Sequence, residues 1–157
     1  RMTNYTDVIS LERAKLYLKV DASQTETDDE IISMINSSLS FIEKRTNHIF
    51  KTRDKVYYKD CNLVEKTTVY DYPINNPEGE GFIDGIVYKT NKAIVPTVDG
   101  FVTLNTGYSD VDDIPSELID AALQIIKVWF YESEKQVNTT LLPLSVLEAI
   151  DVNRRFI

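Results

Sequence analysis

From about residue 115 to 134 the apolar positions repeat with a helical period and cover more than one face of the helix they imply. At about 100° per residue, Leu118, Ala122, Ile125 and Trp129 form one stripe, and Ile119, Leu123, Ile126 and Phe130 form a second. With Ala121 and Val128 the apolar arc reaches roughly 220°, against about 100° for an ordinary surface helix. The preceding Asp113-Ile114-Pro115 is a start signal, because proline at the first helical position lacks only an N–H that would have had no intrahelical partner. Such a helix is either central in its own bundle or shared with another subunit.

Two further helices are predicted near the start of the chain. Ser10 can cap Leu11 to Val20, which places Leu11, Ala14 and Leu18 on one side. A polar loop, Asp21 to Glu26, follows. Thr27-Asp28-Asp29-Glu30 then has capping-box spacing. The helix after it aligns Ile31, Ile32, Ile35, Leu39 and Ile42, with Ser33, Asn36, Ser37, Ser40 and Glu43 opposite, and ends at Thr46-Asn47.

The pattern changes between about 51 and 109. Short β-branched and aromatic runs, Val56-Tyr57-Tyr58, Thr67 to Tyr70, Phe82-Ile83, Ile86 to Tyr88 and Ala93 to Val95, read as strands. Asp99-Gly100 between Ile94–Val98 and Phe101–Leu104 predicts a hairpin, since Asp-Gly suits the positive φ angles of a two-residue turn. Pro73 to Gly81 reads as a long polar loop. Beyond the apolar helix come a polar break (Glu134 to Thr140), Leu141-Leu142-Pro143, a short helix around Ser145 to Ile150, and a tail over 151–157. The expectation is one domain over 2–157, α+β and mainly helical: an antiparallel helical bundle, with flanks at about 10–50 and 113–150, carrying an inserted set of short β-strands over about 51–109.

Composition narrows the function. A net charge of −8 argues against a free nucleic-acid binder, whose footprint is a basic patch. No apolar run approaches the roughly 20 residues that span a bilayer, and no secretory leader is visible; Arg1 ahead of Met2 reads as a vector remnant. Cys61 is the only cysteine, which excludes an internal disulfide and fits a reducing compartment.

Catalytic material is sparse. His48 is the only histidine, and a couple with Cys61 would require the two to meet in space. No metal-ligand spacing appears. Asp110-Val111-Asp112-Asp113 lacks the glycine and distal glutamate of a calcium loop, and five glycines leave little for a phosphate loop. Neither catalysis nor a cofactor or metal is expected. Tyr57, Tyr58, Tyr70, Tyr72 and Tyr88 could stack single-stranded bases, but their acidic surroundings favour strand packing. Trp129, Phe130 and Tyr131 point about 100° apart, so at most two face one core and one edge is available to a neighbouring subunit. Arg154-Arg155-Phe156-Ile157, a basic pair followed by apolar anchors, reads either as an end that frays or as a docking tail.

In their order these segments resemble the phage head–tail connector proteins, also called head-completion or adaptor proteins. The resemblance rests on Leu11-Glu12-Arg13-Ala14-Lys15 with Leu18, Val20 and Asp21, and on Asp28 to Ile32 leading to Thr46-Asn47. It continues through Gly107-Tyr108, Ile114-Pro115, Ala121-Ala122-Leu123 to Glu132, and Leu142-Pro143 with Val146-Leu147. It covers roughly 10–50 and 104–150.

It implies a non-catalytic ring below the portal, dodecameric when assembled and built from a chain that is monomeric in isolation. Such a ring extends the DNA channel and docks the tail or stopper, and DNA passes its lumen without sequence-specific binding. The expected place is the virion neck, reached from the host cytoplasm during assembly. The partners are the portal protein, met by Arg154 to Ile157, and the tail or stopper protein, with Trp129, Phe130 and Tyr131 between subunits. Other neck or tail-completion proteins, a helical binding module unrelated to virions, and a hydrolase built on paired carboxylates stand as alternatives.

Overall fold

The computed structural model describes residues 2–59, 67–69, 71–76, 86–88, 92–95, 100–132 and 142–154. A short 3-10 turn at Tyr5–Asp7 opens the chain, and the Asp7 carboxylate accepts the backbone N–H groups of Thr3 (3.1 Å) and Asn4 (3.0 Å). Helix α1, Leu11–Leu18, starts where the Ser10 hydroxyl accepts the N–H of Arg13 at 3.1 Å, as expected. It stops two residues early, because Lys19 turns left-handed (φ 60°) and the Val20 N–H reaches back to the Lys15 carbonyl.

Helix α2, Asp28–Thr46, does not use its capping box: the Thr27 side chain makes no capping bond. The Asp28 carboxylate instead meets the Lys15 ammonium at 2.5 Å. That ammonium is buried and also donates to the Gln24 carbonyl (2.6 Å), so one lysine ties the α1–α2 loop to both helices. The end of α2 falls where the sequence puts it, with Asn47 left-handed (φ 61°) and its N–H on the Glu43 carbonyl.

Helix α3, Ser116–Glu132, begins just after Pro115, behind a 3-10 turn (Val111–Asp113) closed by the Asp110 side chain on the Asp112 N–H. Helix α4, Leu144–Asn153, is longer than expected and takes in the first three residues assigned to the tail. Asn153 contacts Glu117 and Ser145 contacts Gln124, so α3 and α4 run antiparallel.

The apolar arc of α3 is covered by its own chain. Leu118, Ala122, Ile125 and Ile126 are fully buried, and Ile119, Ala121 and Leu123 nearly so, against α1, α2 and α4. Of the two placements open to this helix, the central one holds over most of its length, and the wide arc alone is therefore no sign of a neighbouring subunit. Only Val128, Trp129 and Phe130, near its end, are half-buried, and Tyr131 is half-exposed.

Among the described residues the strands form two three-stranded antiparallel sheets. One has the order β1–β6–β3, from Arg53–Lys59, Gly100–Thr106 and Ile74–Asn76. The other has the order β2–β5–β4, from Thr67–Val69, Lys92–Val95 and Ile86–Tyr88. Two expectations are corrected here. The segments flanking Asp99-Gly100 belong to different sheets and are not a hairpin, since β6 finds a longer partner in β1, paired from Arg53–Thr106 to Lys59–Gly100. Part of the expected Pro73–Gly81 loop is strand β3, which covers the other edge of β6. Phe82-Ile83, Tyr70 and 77–81 lie outside the described residues.

Bundle and sheet are laced together at 47–52. The Ile49 N–H donates to the Tyr72 carbonyl (2.7 Å), the Tyr108 N–H to the Ile49 carbonyl (3.0 Å), and the Thr52 N–H to the Met2 carbonyl (2.7 Å). Gly107 sits in this lacing at φ +121°, where a Cβ would come within 2.6 Å of the Thr52 Cα. Only glycine fits there without moving backbone.

Candidate interface surfaces

The three aromatics at the end of α3 do not form one patch. Phe130 and Tyr131 meet edge to face, 5.1 Å between ring centres at 89°, and the Tyr131 hydroxyl donates to the Leu18 carbonyl at the end of α1. Tyr131 lines an apolar depression with Tyr17, Val128 and Pro143, and the Lys127 ammonium lies 5.9 Å from the Tyr17 ring. Leu16 and Leu144, each adjacent in sequence to a lining residue, are 79% and 70% exposed. Trp129, two residues before Tyr131 and so about 200° away around the helix, faces α2 instead.

There Trp129 closes one end of a groove along α2, lined by Asn36, Ser37, Ser40, Phe41, Lys44 and Tyr5. Its aromatics carry cations. The Arg45 guanidinium stands 4.8 Å over the Phe41 ring and the Lys51 ammonium 5.7 Å over the Tyr5 ring. A second depression shares Tyr5 and Asn36 and adds Ile32 and Lys51. Neither lining contains a carboxylate, nor does that of the Tyr131 depression, so these surfaces give no acid pair of the kind a hydrolase needs.

The groove wall stands on Glu43, which the helical pattern assigns to the polar face and the structure buries to 5% exposure. Its turn of α2 points at the incoming strand segment. One carboxylate oxygen accepts the N–H groups of Phe50 (2.7 Å) and Lys51 (3.1 Å), and the other accepts the Tyr5 hydroxyl (2.6 Å) with Arg53 at 3.8 Å. Burial, followed by the hydrogen bond to the Glu43 carboxylate and its charge, pushes the Tyr5 phenol from 10.0 up to about 12.

Ionising Tyr5 is therefore harder in the folded chain than in the unfolded one. The stabilisation is complete below pH 10 and is lost as pH rises through about 12. Because the ring is half-exposed, screening limits the effect to about 1 kcal/mol. The stability advantage of the wild type over Tyr5→Phe, measured by urea unfolding, is expected to narrow across that window. A constant difference would count against the Tyr5–Glu43 coupling.

His48 is a structural residue in this arrangement. It is buried, with Nε2 2.9 Å from the Asn153 carbonyl and Nδ1 2.8 Å from the Tyr108 hydroxyl. A carbonyl only accepts, so Nε2 carries a proton, and in the neutral tautomer Nδ1 then accepts from Tyr108. This joins the end of α2 to the end of α4. Tyr72 is half-buried and packs edge to face with His48 (5.5 Å) and Tyr108 (5.7 Å), so the strand-packing expectation holds for this ring. Cys61 and the side chains of Tyr57, Tyr58, Tyr70 and Tyr88 lie outside the described residues. Among the described residues no group of three or more His, Cys, Asp or Glu is placed to hold a metal ion, and no helix is long and apolar enough to cross a membrane. Arg154 is exposed just beyond α4, while Arg155, Phe156 and Ile157 lie outside the described residues.

No family model and no curated protein sequence matches the chain. Solved structures do match in fold. A chain from the neck of an empty gene transfer agent particle, computed with C6 symmetry, superposes with a TM-score of 0.71 at 12% identity, covering 99% of this chain and 93% of that one. A chain from the virion of a native gene transfer agent particle gives 0.70 at 10% identity, covering 95% and 90%. The superpositions establish a shared fold, and the overlap leaves little of either chain unmatched: the mainly helical α+β architecture is that of chains in a gene transfer agent particle and its neck.

Proposed function

We propose that this chain is a structural head–tail connector of a tailed phage or prophage. Copies of it form a ring below the portal, extend the DNA channel and dock the tail or stopper. The likeness in fold over 99% of the chain to a chain of a particle neck is the observation that carries this reading. The net charge of −8 agrees with it, because DNA adheres where lysine and arginine neutralise phosphates and slides past a surface that repels them.

The test is electron microscopy of the purified chain mixed with the portal protein encoded beside it. A ring closing the narrow end of the portal is the expected result; a chain that stays dispersed beside intact portals would overturn the reading.

The tail has its own expected outcome. A deletion from Asp151 would remove the last turn of α4 and the Asn153 carbonyl bound by His48, so the informative truncation is Arg154–Ile157. The truncated chain is expected to unfold at the wild-type temperature while its occupancy on portals falls about tenfold or more. Unchanged occupancy would remove the tail from the docking surface.

A further inference from the structure

A ring of identical subunits closes through a heterologous interface, in which two unlike patches of one chain meet. Two such patches exist here, and they carry opposite charge. The first is the α2 groove, where Phe41 and Trp129 are half-buried and Lys44, Arg45 and Lys51 stand at the aromatic walls. The carboxylate beneath it, Glu43, is buried and already engaged by Tyr5, Arg53 and two backbone N–H groups. On a chain of net charge −8, a groove whose lining holds cations and no carboxylate is a complement to the acidic remainder of a second copy.

The second patch is an acidic ridge. Glu117 and Asp120 lie one turn apart on the solvent stripe of α3, and both are exposed. Exposed Asp113 precedes them. The two patches face away from each other. Asp120 and Trp129 are nine residues apart on α3, which at about 100° per residue puts them roughly 180° apart around its axis. One copy therefore cannot close its groove with its own ridge, whereas a neighbour rotated about a ring axis can present its ridge to the groove.

Resting on the connector reading, we infer that the Phe41–Lys44–Trp129 groove of one subunit receives the Asp113–Glu117–Asp120 ridge of the next. The aromatic walls exclude water while the cations set register and orientation.

Charge exchange tests the pairing. Lys44→Glu with Lys51→Glu is expected to raise the concentration for half-maximal ring occupancy on portals about tenfold or more, and the neutral pair Lys44→Gln with Lys51→Gln to raise it less. Glu117→Lys with Asp120→Lys is expected to do the same alone. Mixed with the Lys44→Glu, Lys51→Glu chain, it is expected to recover the occupancy, because every contact in a ring of alternating chains is complementary; all four changes in one chain likewise restore every contact. Thermal unfolding of each variant checks that the monomer still folds, and the quadruple variant keeps the test informative should one pair be unstable.

If wild-type rings form and the lysine reversal leaves them intact, the pairing is wrong while the connector reading stands. If reversal disrupts rings and the quadruple variant does not recover, the groove takes another partner and the pairing is again wrong. Retention of a short duplex DNA by the wild type, lost on lysine reversal with rings unaffected, would assign the groove to phosphate instead. Absence of rings from the wild type would overturn the connector reading and the pairing together.

Discussion

Glu43→Leu is expected to destabilise the protein by about 3–5 kcal/mol, as breaking a buried charged cluster does. The carboxylate has two oxygens and the structure uses both. Leucine would fill much of the volume but leave the Phe50 N–H, which is buried, without an acceptor, along with the Lys51 N–H and the Tyr5 hydroxyl. Each stranded donor costs roughly 1–3 kcal/mol, less where water can reach it, and Lys51 and Tyr5 are only half-buried. Glu43→Gln keeps one acceptor but points an NH2 group at donors, so it should fall between, at about 2 kcal/mol. Urea unfolding is the measurement, read from the shift in midpoint at unchanged slope. A loss under about 1 kcal/mol for Glu43→Leu would mean the segment after α2 finds other acceptors. Stability is not the only consequence. Glu43 holds Tyr5 and Lys51 in place, and these form part of the groove wall, so the same variant should also impair ring formation at temperatures where its monomer is still folded.

Glu43 also marks where sequence reasoning fell short. The helical period that assigns Ile31, Ile35, Leu39 and Ile42 to the core sorts residues by side-chain polarity, so it sends any glutamate outward. One local signal argued otherwise. A carboxylate in the last turn of a helix opposes the helix dipole, and Glu43 sits there beside Lys44 and Arg45, which suit it. An acid retained in that position invites a search for backbone donors. Lys15 is the same case, a charged residue buried because carbonyls of a neighbouring loop and one carboxylate surround it. Neither partner set is visible in a periodicity, since both come from chain segments that arrive by tertiary folding.

The helices were legible because their signal is local: Ser10 capping α1, Asn47 ending α2 and Pro115 preceding α3 each act within a few residues. The sheets were legible as strands and not as pairings. Asp99-Gly100 suits a tight turn, yet β5 and β6 part into separate sheets because long-range partners outweigh one dipeptide. The candidate interface divides similarly. Helical spacing separates Trp129 from Tyr131, but only the packing of α2 against α3 shows that Trp129 completes a groove with residues from about ninety positions earlier. The cations beside that groove are scattered over Lys44, Arg45, Lys51 and Arg53, within a chain whose overall charge points the other way.

Leu118→Ala is expected to cost about 3 kcal/mol, within the 2–5 kcal/mol range for deleting a buried leucine side chain, and to lower the melting temperature by about 6–12 °C. Trp129→Ala, although it removes a larger side chain, is expected to cost only about 1–2 kcal/mol, because part of that ring already meets solvent along the groove. The ordering reverses what side-chain size alone would give, and it follows from the wide apolar arc of α3 being closed by α1, α2 and α4. Concentration separates the two sources of burial. Stability drawn from within one chain does not depend on how much protein is present, whereas stability shared between subunits rises with it by mass action. The melting temperatures of the wild type and of Leu118→Ala should therefore stay fixed across a hundredfold dilution of the free chain. A wild-type melting temperature that climbs with concentration, with a Leu118→Ala deficit that grows alongside it, would show that part of this helix is covered by a second copy. The inferred groove–ridge pairing gives a different expectation for Trp129 alone: its truncation should weaken assembly by more than it weakens the monomer.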